Sequence, residues 1–71
     1  MQYLVVVETS ETGFGAYVPD LRSCVAVGET RGEVLQLIQE AIEFHIEGLK
    51  DSGEQVPVPS SQSELIDIHA A

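Results

Sequence analysis

Positive charge is scarce in this chain of 71 residues, in which 3 Lys and Arg face 12 Asp and Glu for a formal net charge of -9. A protein that binds nucleic acid alone neutralises phosphates with clustered cations, and three cations are too few for such a cluster. The same shortage argues against binding to anionic membrane surfaces. Because an acidic chain attracts basic molecules, the composition favours a basic protein partner.

Cysteine and long apolar runs are also scarce. Cys24 is the single cysteine, so no disulfide can form within the chain. His45 and His69 are too far apart for zinc-finger spacing, and we expect no metal and no cofactor. The apolar run at residues 3–7 is far shorter than the ~20 residues that span a bilayer. No basic stretch precedes it as in a secretory signal, so we expect a cytoplasmic protein that does not bind membranes.

The small size of the chain limits how much stability it can reach alone. Hydrophobic residues make up 44% of the sequence, which is typical of a globular protein. A domain of roughly 60 residues, however, buries only about 60% of the surface that its unfolded chain exposes. Without a disulfide or a metal, association with another chain is the remaining source of stability.

The pattern of apolar residues predicts three strands followed by one helix. β-Branched and aromatic residues define the predicted strands, which lie at residues 2–8, 14–18 and 23–27. A period of 3.6 residues then predicts a helix over residues 31–50. The prolines predict an extended linker at 56–61, and residues 64–69 are a weak candidate for a fourth strand.

These elements predict one α+β domain spanning residues 1–71, with the order βββα(β). The domain has two layers, a three-stranded antiparallel sheet and one helix packed on it. Thr30 and Glu33 form a capping box at the helix start, in which each side chain accepts a hydrogen bond from the other residue's amide.

Apolar side chains occupy both faces of the predicted sheet and an arc of roughly 200° on the helix, which is wider than packing on a sheet requires. A single helix covers only one face, so apolar surface remains for association. Cys24 is predicted to be a small apolar core or interface residue. His45 is predicted to be a packed or interface histidine. The candidate interface residues are Tyr3, Tyr17, Cys24, His45 and Ile46.

Carboxylates allow two further interpretations. The acidic helix face, formed by Glu40, Glu43 and Glu47, is either a solvated surface or a docking strip for a basic partner. Convergence of several carboxylates on Mg²⁺ would define a nuclease, but no spacing in the sequence forces such convergence. The candidates for that arrangement are Glu8, Asp20, Glu29 and Glu33.

Several short motifs follow one another between residues 3 and 60. They are Gly15-Ala16-Tyr17-Val18-Pro19-Asp20-Leu21, Cys24, Gly28-Glu29-Thr30, Glu33, Glu40-Ala41-Ile42 and Val56-Pro57-Val58-Pro59. Their order and spacing resemble the HicB antitoxin family. That family has a Pro-Asp-Leu-Pro-Gly-Cys turn, a Gly-Asp-Thr helix start, a Glu-Ala-Ile helix and a Pro-x-Pro. The sequence departs from this pattern at Arg22-Ser23, at Glu29 and at Val34.

The resemblance implies a partial RNase H-like fold and a non-enzymatic antitoxin. Such a protein forms homodimers or tetramers and binds and neutralises HicA, a small basic RNA-cleaving toxin. Many HicB proteins continue into a C-terminal DNA-binding module, which the last dozen residues before Ala71 are too few to form. The resemblance therefore implies a short form. The alternatives are a solitary HicB-like homo-oligomer and, more remotely, an RNase H-like metal-dependent nuclease.

Overall fold

The computed structural model describes residues 1–69 and confirms the α+β class and the order βββα. Its elements are β1 at Val6–Ser10, β2 at Gly13–Tyr17, β3 at Val25–Gly28 and α1 at Arg31–Asp51. The strands form one antiparallel sheet in the order β1-β2-β3, so β1 and β3 are its two edges.

The strands differ in their limits from the sequence-based expectation for a physical reason. β1 begins at Val6 rather than at residue 2, because its partner β2 ends at Tyr17, directly opposite Val6. Pro19 follows and has no backbone N–H to continue the ladder. Residues 64–69 belong to no helix or strand and pair with no strand within residues 1–69, so the fourth strand considered from the sequence does not form in the single chain.

At the end of the sheet where β2 begins, the backbones of Gly13 and Gly28 lie close together. Phe14 lies opposite Gly28 in the β2–β3 ladder. A Cβ atom added at Gly13 would overlap the carbonyl oxygen of Gly28. Gly13 therefore allows the β1–β2 turn to pack against the end of β3.

The core lies between the sheet and α1, and half of it comes from the connection between β2 and β3. Backbone hydrogen bonds fold this connection onto itself, with Val18 N donating to Cys24 O at 3.2 Å and Leu21 N donating to Val18 O at 3.1 Å. The fold of the connection turns Leu21 inward against the helix residues. The buried cluster consists of Ala16, Val18, Leu21, Cys24, Val34 and Ile38.

Both ends of α1 are capped by local hydrogen bonds. The Thr30 hydroxyl accepts from the Glu33 amide at 3.0 Å. The Glu33 carboxylate accepts from the Glu29 amide at 2.8 Å, one residue before the Thr30 amide that a capping box predicts. At the other end, Gly53 adopts φ +73°, and the next amide, that of Glu54, donates back to the helix at 2.9 Å. This pattern is a Schellman cap.

In the turn before β3, Ser23 has a strained backbone conformation. Ser23 has φ +62°, in the left-handed region where a Cβ atom costs about 1–2 kcal/mol. The HicB pattern has glycine at this position, and the chain keeps the turn although it has serine there. Ser23 leads directly into Cys24, which is buried, so packing holds the strained conformation.

Replacing Ser23 by glycine is expected to stabilise the protein. Ser23→Gly removes the steric cost of the positive φ but makes the unfolded chain more flexible, so we expect a net gain of about 1 kcal/mol in the free energy of unfolding. Urea denaturation followed by circular dichroism measures it. Ser63→Gly, in an exposed segment outside the helix and strands, is the matched control and should change stability by less than about 0.5 kcal/mol. A loss of stability in Ser23→Gly would contradict the assignment of strain.

Candidate functional site

One apolar surface outside the core is the face of the sheet that α1 does not cover. Register places Val6, Tyr17 and Val25 side by side across the three strands on this face. Tyr17 is 40% exposed, Val25 65% and Val27 78%. We call these four residues the outer sheet face. Exposed apolar patches of this kind mark association surfaces.

A second apolar surface is a groove between the N-terminal segment and α1. Tyr3 and Ile46, which the sequence analysis named separately, line this groove together with Ile42. Glu43, a candidate for docking to a basic partner, lies at the same groove. The Tyr3 hydroxyl also donates a hydrogen bond to the Pro57 carbonyl oxygen, which ties the N-terminal segment to the chain beyond the helix.

The remaining interface candidates lie apart from this groove. Tyr17 belongs to the outer sheet face, on the other side of the sheet, and His45 is half-buried on α1. Cys24 is a core residue with 4% exposure, so it presents no surface to a partner and leaves the set of interface candidates. Burial raises the pKa of the Cys24 thiol, which disfavours a reactive thiolate.

The acidic residues of α1 form an exposed stripe. Glu40, Glu43 and Glu47 are all exposed and follow one another at intervals of three and four residues, which places them on one side of the helix. No group of three or more His, Cys, Asp or Glu within residues 1–69 is arranged to hold a metal ion. Glu29 lies beyond the end of β3 and Asp20 lies beyond the opposite end of the sheet, after β2. These two carboxylates therefore do not converge.

Asp20 instead holds the C-terminal part of the chain. Its carboxylate accepts hydrogen bonds from the amides of Ser60 and Ser61, each at 2.9 Å, and from both serine hydroxyls, at 3.2 and 2.7 Å. The Ser61 and Ser60 amides stabilise the charged form and lower the pKa of Asp20 from 3.8 to about 2. We call this group the Asp20 clamp. Forty residues separate its halves, so no local sequence pattern indicates it.

Beyond the clamp the chain continues without helix or strand over residues 62–69, which we call the C-terminal arm. Its apolar side chains are uncovered: Leu65 is 98% exposed, Ile66 73% and Ile68 79%. The whole molecule measures 52 × 27 × 17 Å. The structure thus carries apolar surface on the sheet, at the groove and on the arm.

The length and hydropathy of the helix can be compared with those of membrane-spanning helices. Within residues 1–69, no helix combines the length and the apolar character needed to cross a bilayer.

Comparison with known proteins gives concordant matches. A family model described as HicB_like antitoxin of bacterial toxin–antitoxin system matches residues 3–70. A chain of a solved HicA3 and HicB3 toxin–antitoxin complex superposes with a TM-score of 0.71 at 30% sequence identity, covering 84% of this chain and 70% of that one.

Two curated relatives extend the comparison. Antitoxin HicB 2 of Photorhabdus laumondii is 31% identical over 90% of this chain and 46% of its own length. A 14.9 kDa protein of Haemophilus phage HP1, from the rep-hol intergenic region, is 37% identical over 80% of this chain and 43% of its own length. The matches therefore span less than half the length of either relative.

The fold and the surfaces define the class, a small acidic α+β domain that presents apolar surface outside its core. Together with the match over residues 3–70, they place the chain in the HicB-like antitoxin family of bacterial toxin–antitoxin systems. The resemblance drawn from the sequence motifs is confirmed.

Removing the charge of Asp20 is expected to weaken its hydrogen bonds to Ser60 and Ser61, from which the C-terminal arm continues. Because the folded-state pKa of about 2 lies below the ordinary 3.8, the carboxylate stabilises the fold above pH 3.8 and loses this effect as the pH falls toward 2. In Asp20→Asn, the amides of Ser60 and Ser61 should exchange with solvent faster at neutral pH, and the difference from the unsubstituted chain should vanish near pH 2.

Hydrogen exchange monitored by NMR measures these amides directly. Asp67→Asn removes the same charge from the exposed arm and is the matched control, with no expected change at Ser60 or Ser61. Equal exchange rates in Asp20→Asn and in the control would contradict the clamp.

Proposed function

We propose that this chain binds and neutralises a small basic RNA-cleaving toxin of the HicA type, and that it acts by binding rather than by catalysis. The observation that carries this proposal is the likeness, with a TM-score of 0.71, to a chain of a HicA3 and HicB3 complex. That likeness extends over 84% of the chain, so the domain described above is the part that corresponds to a member of a toxin–antitoxin assembly.

Charge supports the choice of a basic partner. The net charge of -9 attracts a basic ribonuclease over a distance and accelerates encounter. The exposed stripe of Glu40, Glu43 and Glu47 is the docking strip in this proposal. Glu43 also lies at the groove lined by Tyr3 and Ile46, so an apolar contact and a charged contact are adjacent there. Adjacent apolar and charged contacts are typical of protein interfaces.

Self-association is the second part of the proposal. The outer sheet face leaves Val25 and Val27 more than half exposed although they lie in a strand. Covering this face by a second copy would add buried apolar area that the small core lacks. We propose a homodimer or a tetramer, in which His45 and Ile46 are further candidates for contacts.

A toxin that cleaves RNA acts where RNA is translated, so the cytoplasm is the proposed location.

The direct test of neutralisation is rescue of toxin-arrested cells. A HicA-type toxin is expressed first, taken from the adjacent reading frame if that frame encodes a small basic protein, and the chain is then induced from a second promoter. Resumed growth and co-purification of the two proteins are the expected results. A chain that folds and accumulates but neither rescues growth nor co-purifies with the toxin overturns the proposal.

Charge on the helix stripe is expected to set the rate of association with the toxin. Replacing Glu40, Glu43 and Glu47 together by Gln keeps helix propensity and should slow association about tenfold at low salt. Stopped-flow mixing at several salt concentrations measures the rate.

The control for this prediction is a variant with the same loss of charge elsewhere. Glu8, Glu11 and Glu54 are exposed and lie outside the stripe, and replacing them by Gln should slow association less than about threefold. Equal slowing in the two triple variants would show that only net charge matters and would exclude the stripe as the docking strip.

A further inference from the structure

The segment that follows α1 is attached to the domain at two points. We call residues 56–61 the strap. Near its start, the Pro57 carbonyl oxygen accepts a hydrogen bond from the Tyr3 hydroxyl. At its end, the amides of both serines donate to the Asp20 carboxylate, each at 2.9 Å. The strap therefore connects the N-terminal segment to the β2–β3 connection, two parts of the chain that are not neighbours in sequence.

The strap has few ways to bend between these two points. Only Val58 and Pro59 separate Pro57 from the first serine of the clamp. Proline fixes its own φ at about -65° and restricts the residue before it, so Pro57 and Pro59 leave few dihedral angles free. Pro59 is also half-buried. A displacement at the Asp20 clamp therefore moves the Pro57 carbonyl as well.

Tyr3 depends on the Pro57 carbonyl because it lies outside the sheet. β1 begins at Val6, so Tyr3 takes no part in the β1–β2 ladder. Tyr3 packs against the core and lines the groove between the N-terminal segment and α1, together with Ile42 and Ile46. The N-terminal segment forms one wall of this groove and the helix forms the other. The position of Tyr3 therefore sets the shape of the groove.

The groove has the composition of a contact for the basic toxin proposed above. Its apolar lining is bordered by Glu43, which belongs to the exposed acidic stripe of the helix. A cation of a basic protein can pair with this carboxylate while a neighbouring apolar side chain enters the groove. The net charge of -9 makes a basic protein the occupant that fits.

We propose that Asp20 is a positioning residue for toxin binding, because by holding the strap it keeps Tyr3 in place at a groove that Asp20 itself does not line. Release of the strap takes the acceptor away from the Tyr3 hydroxyl and frees the N-terminal wall of the groove. The strap thus has a bound and a released state, and the clamp and the toxin both favour the bound one. This inference rests on the toxin binding proposed above, but the coupling of clamp and groove is measurable without toxin.

Removing the Tyr3 hydroxyl from the full chain tests the coupling in one direction. Tyr3→Phe keeps the ring, and the amides of Ser60 and Ser61 should exchange with solvent about two- to tenfold faster, the usual effect of losing one neutral hydrogen bond. The central amides of α1, which report global unfolding, should not accelerate by the same factor. Tyr17→Phe removes a hydroxyl on the other side of the sheet and is the matched control. Equal exchange at both serines in the two variants overturns the coupling.

Removing the charge of the clamp tests the coupling in the other direction. In Asp20→Asn, the methyl NMR signals of Ile42 and Ile46 should shift, because the released Tyr3 ring lines the same groove. Asp67→Asn removes a charge from the exposed arm and should leave these methyl signals in place. Groove methyl signals that stay unshifted in Asp20→Asn overturn the coupling. Circular dichroism verifies that each variant keeps the helix.

Titration calorimetry with the purified HicA-type toxin of the rescue experiment tests the consequence for binding. Asp20→Asn and Tyr3→Phe should each raise the Kd about fivefold. The double variant should raise it by about the same factor rather than by the product of about 25, because both substitutions release one strap. Asp67→Asn is the control for the lost charge and should leave the Kd within about twofold.

The outcomes separate the role of the clamp from the proposed function. An unchanged Kd in Asp20→Asn overturns the positioning role. Effects that multiply in the double variant overturn it as well, because they show that Asp20 and Tyr3 act on the toxin independently. An unsubstituted chain that does not bind the toxin overturns the proposed function and the positioning role together, whereas hydrogen exchange at Ser60 and Ser61 still decides whether the strap couples the clamp to the groove.

Discussion

A single helix can cover only one face of a sheet, and most features of this molecule depend on that constraint. α1 packs on the face that carries Ala16 and buries it around Val34 and Ile38. The opposite face carries Tyr17, Val25 and Val27, and no element within residues 1–69 lies above it. In a larger domain a second layer would bury that face. Within residues 1–69 the sheet remains half covered, and its outer face stays in contact with water.

The connection between β2 and β3 compensates in part for the missing layer. Its folded backbone places Leu21 and Cys24 in the core beside the helix, so a connection supplies side chains that a further strand would supply elsewhere. The same connection bears Asp20, which binds Ser60 and Ser61 from the far end of the chain. One short segment thus completes the core and also sets where the C-terminal arm begins. The strained φ of Ser23 is the local cost of this compact turn.

Charge and apolar surface are arranged differently on the molecule. The acidic residues Glu40, Glu43 and Glu47 lie exposed on the helix, whereas the outer sheet face is mainly apolar. This division suits a protein with two kinds of neighbour, because a charged stripe steers a basic partner and an apolar face pairs with a similar surface. Membership of the HicB-like antitoxin family agrees with the binding function proposed above.

The sequence by itself determined the class of fold, the helix and the excess of apolar surface. These features come from short-range patterns: alternation in strands, a period of 3.6 in the helix, and the Thr30 side chain three residues before the Glu33 amide. Tertiary structure decided what depends on distant residues. β1 starts at Val6 because its partner strand ends opposite it, Cys24 is buried because the connection folds inward, and Asp20 binds serines forty residues away. Local sequence carries no record of such contacts, because they arise only when the folded chain brings those backbones together.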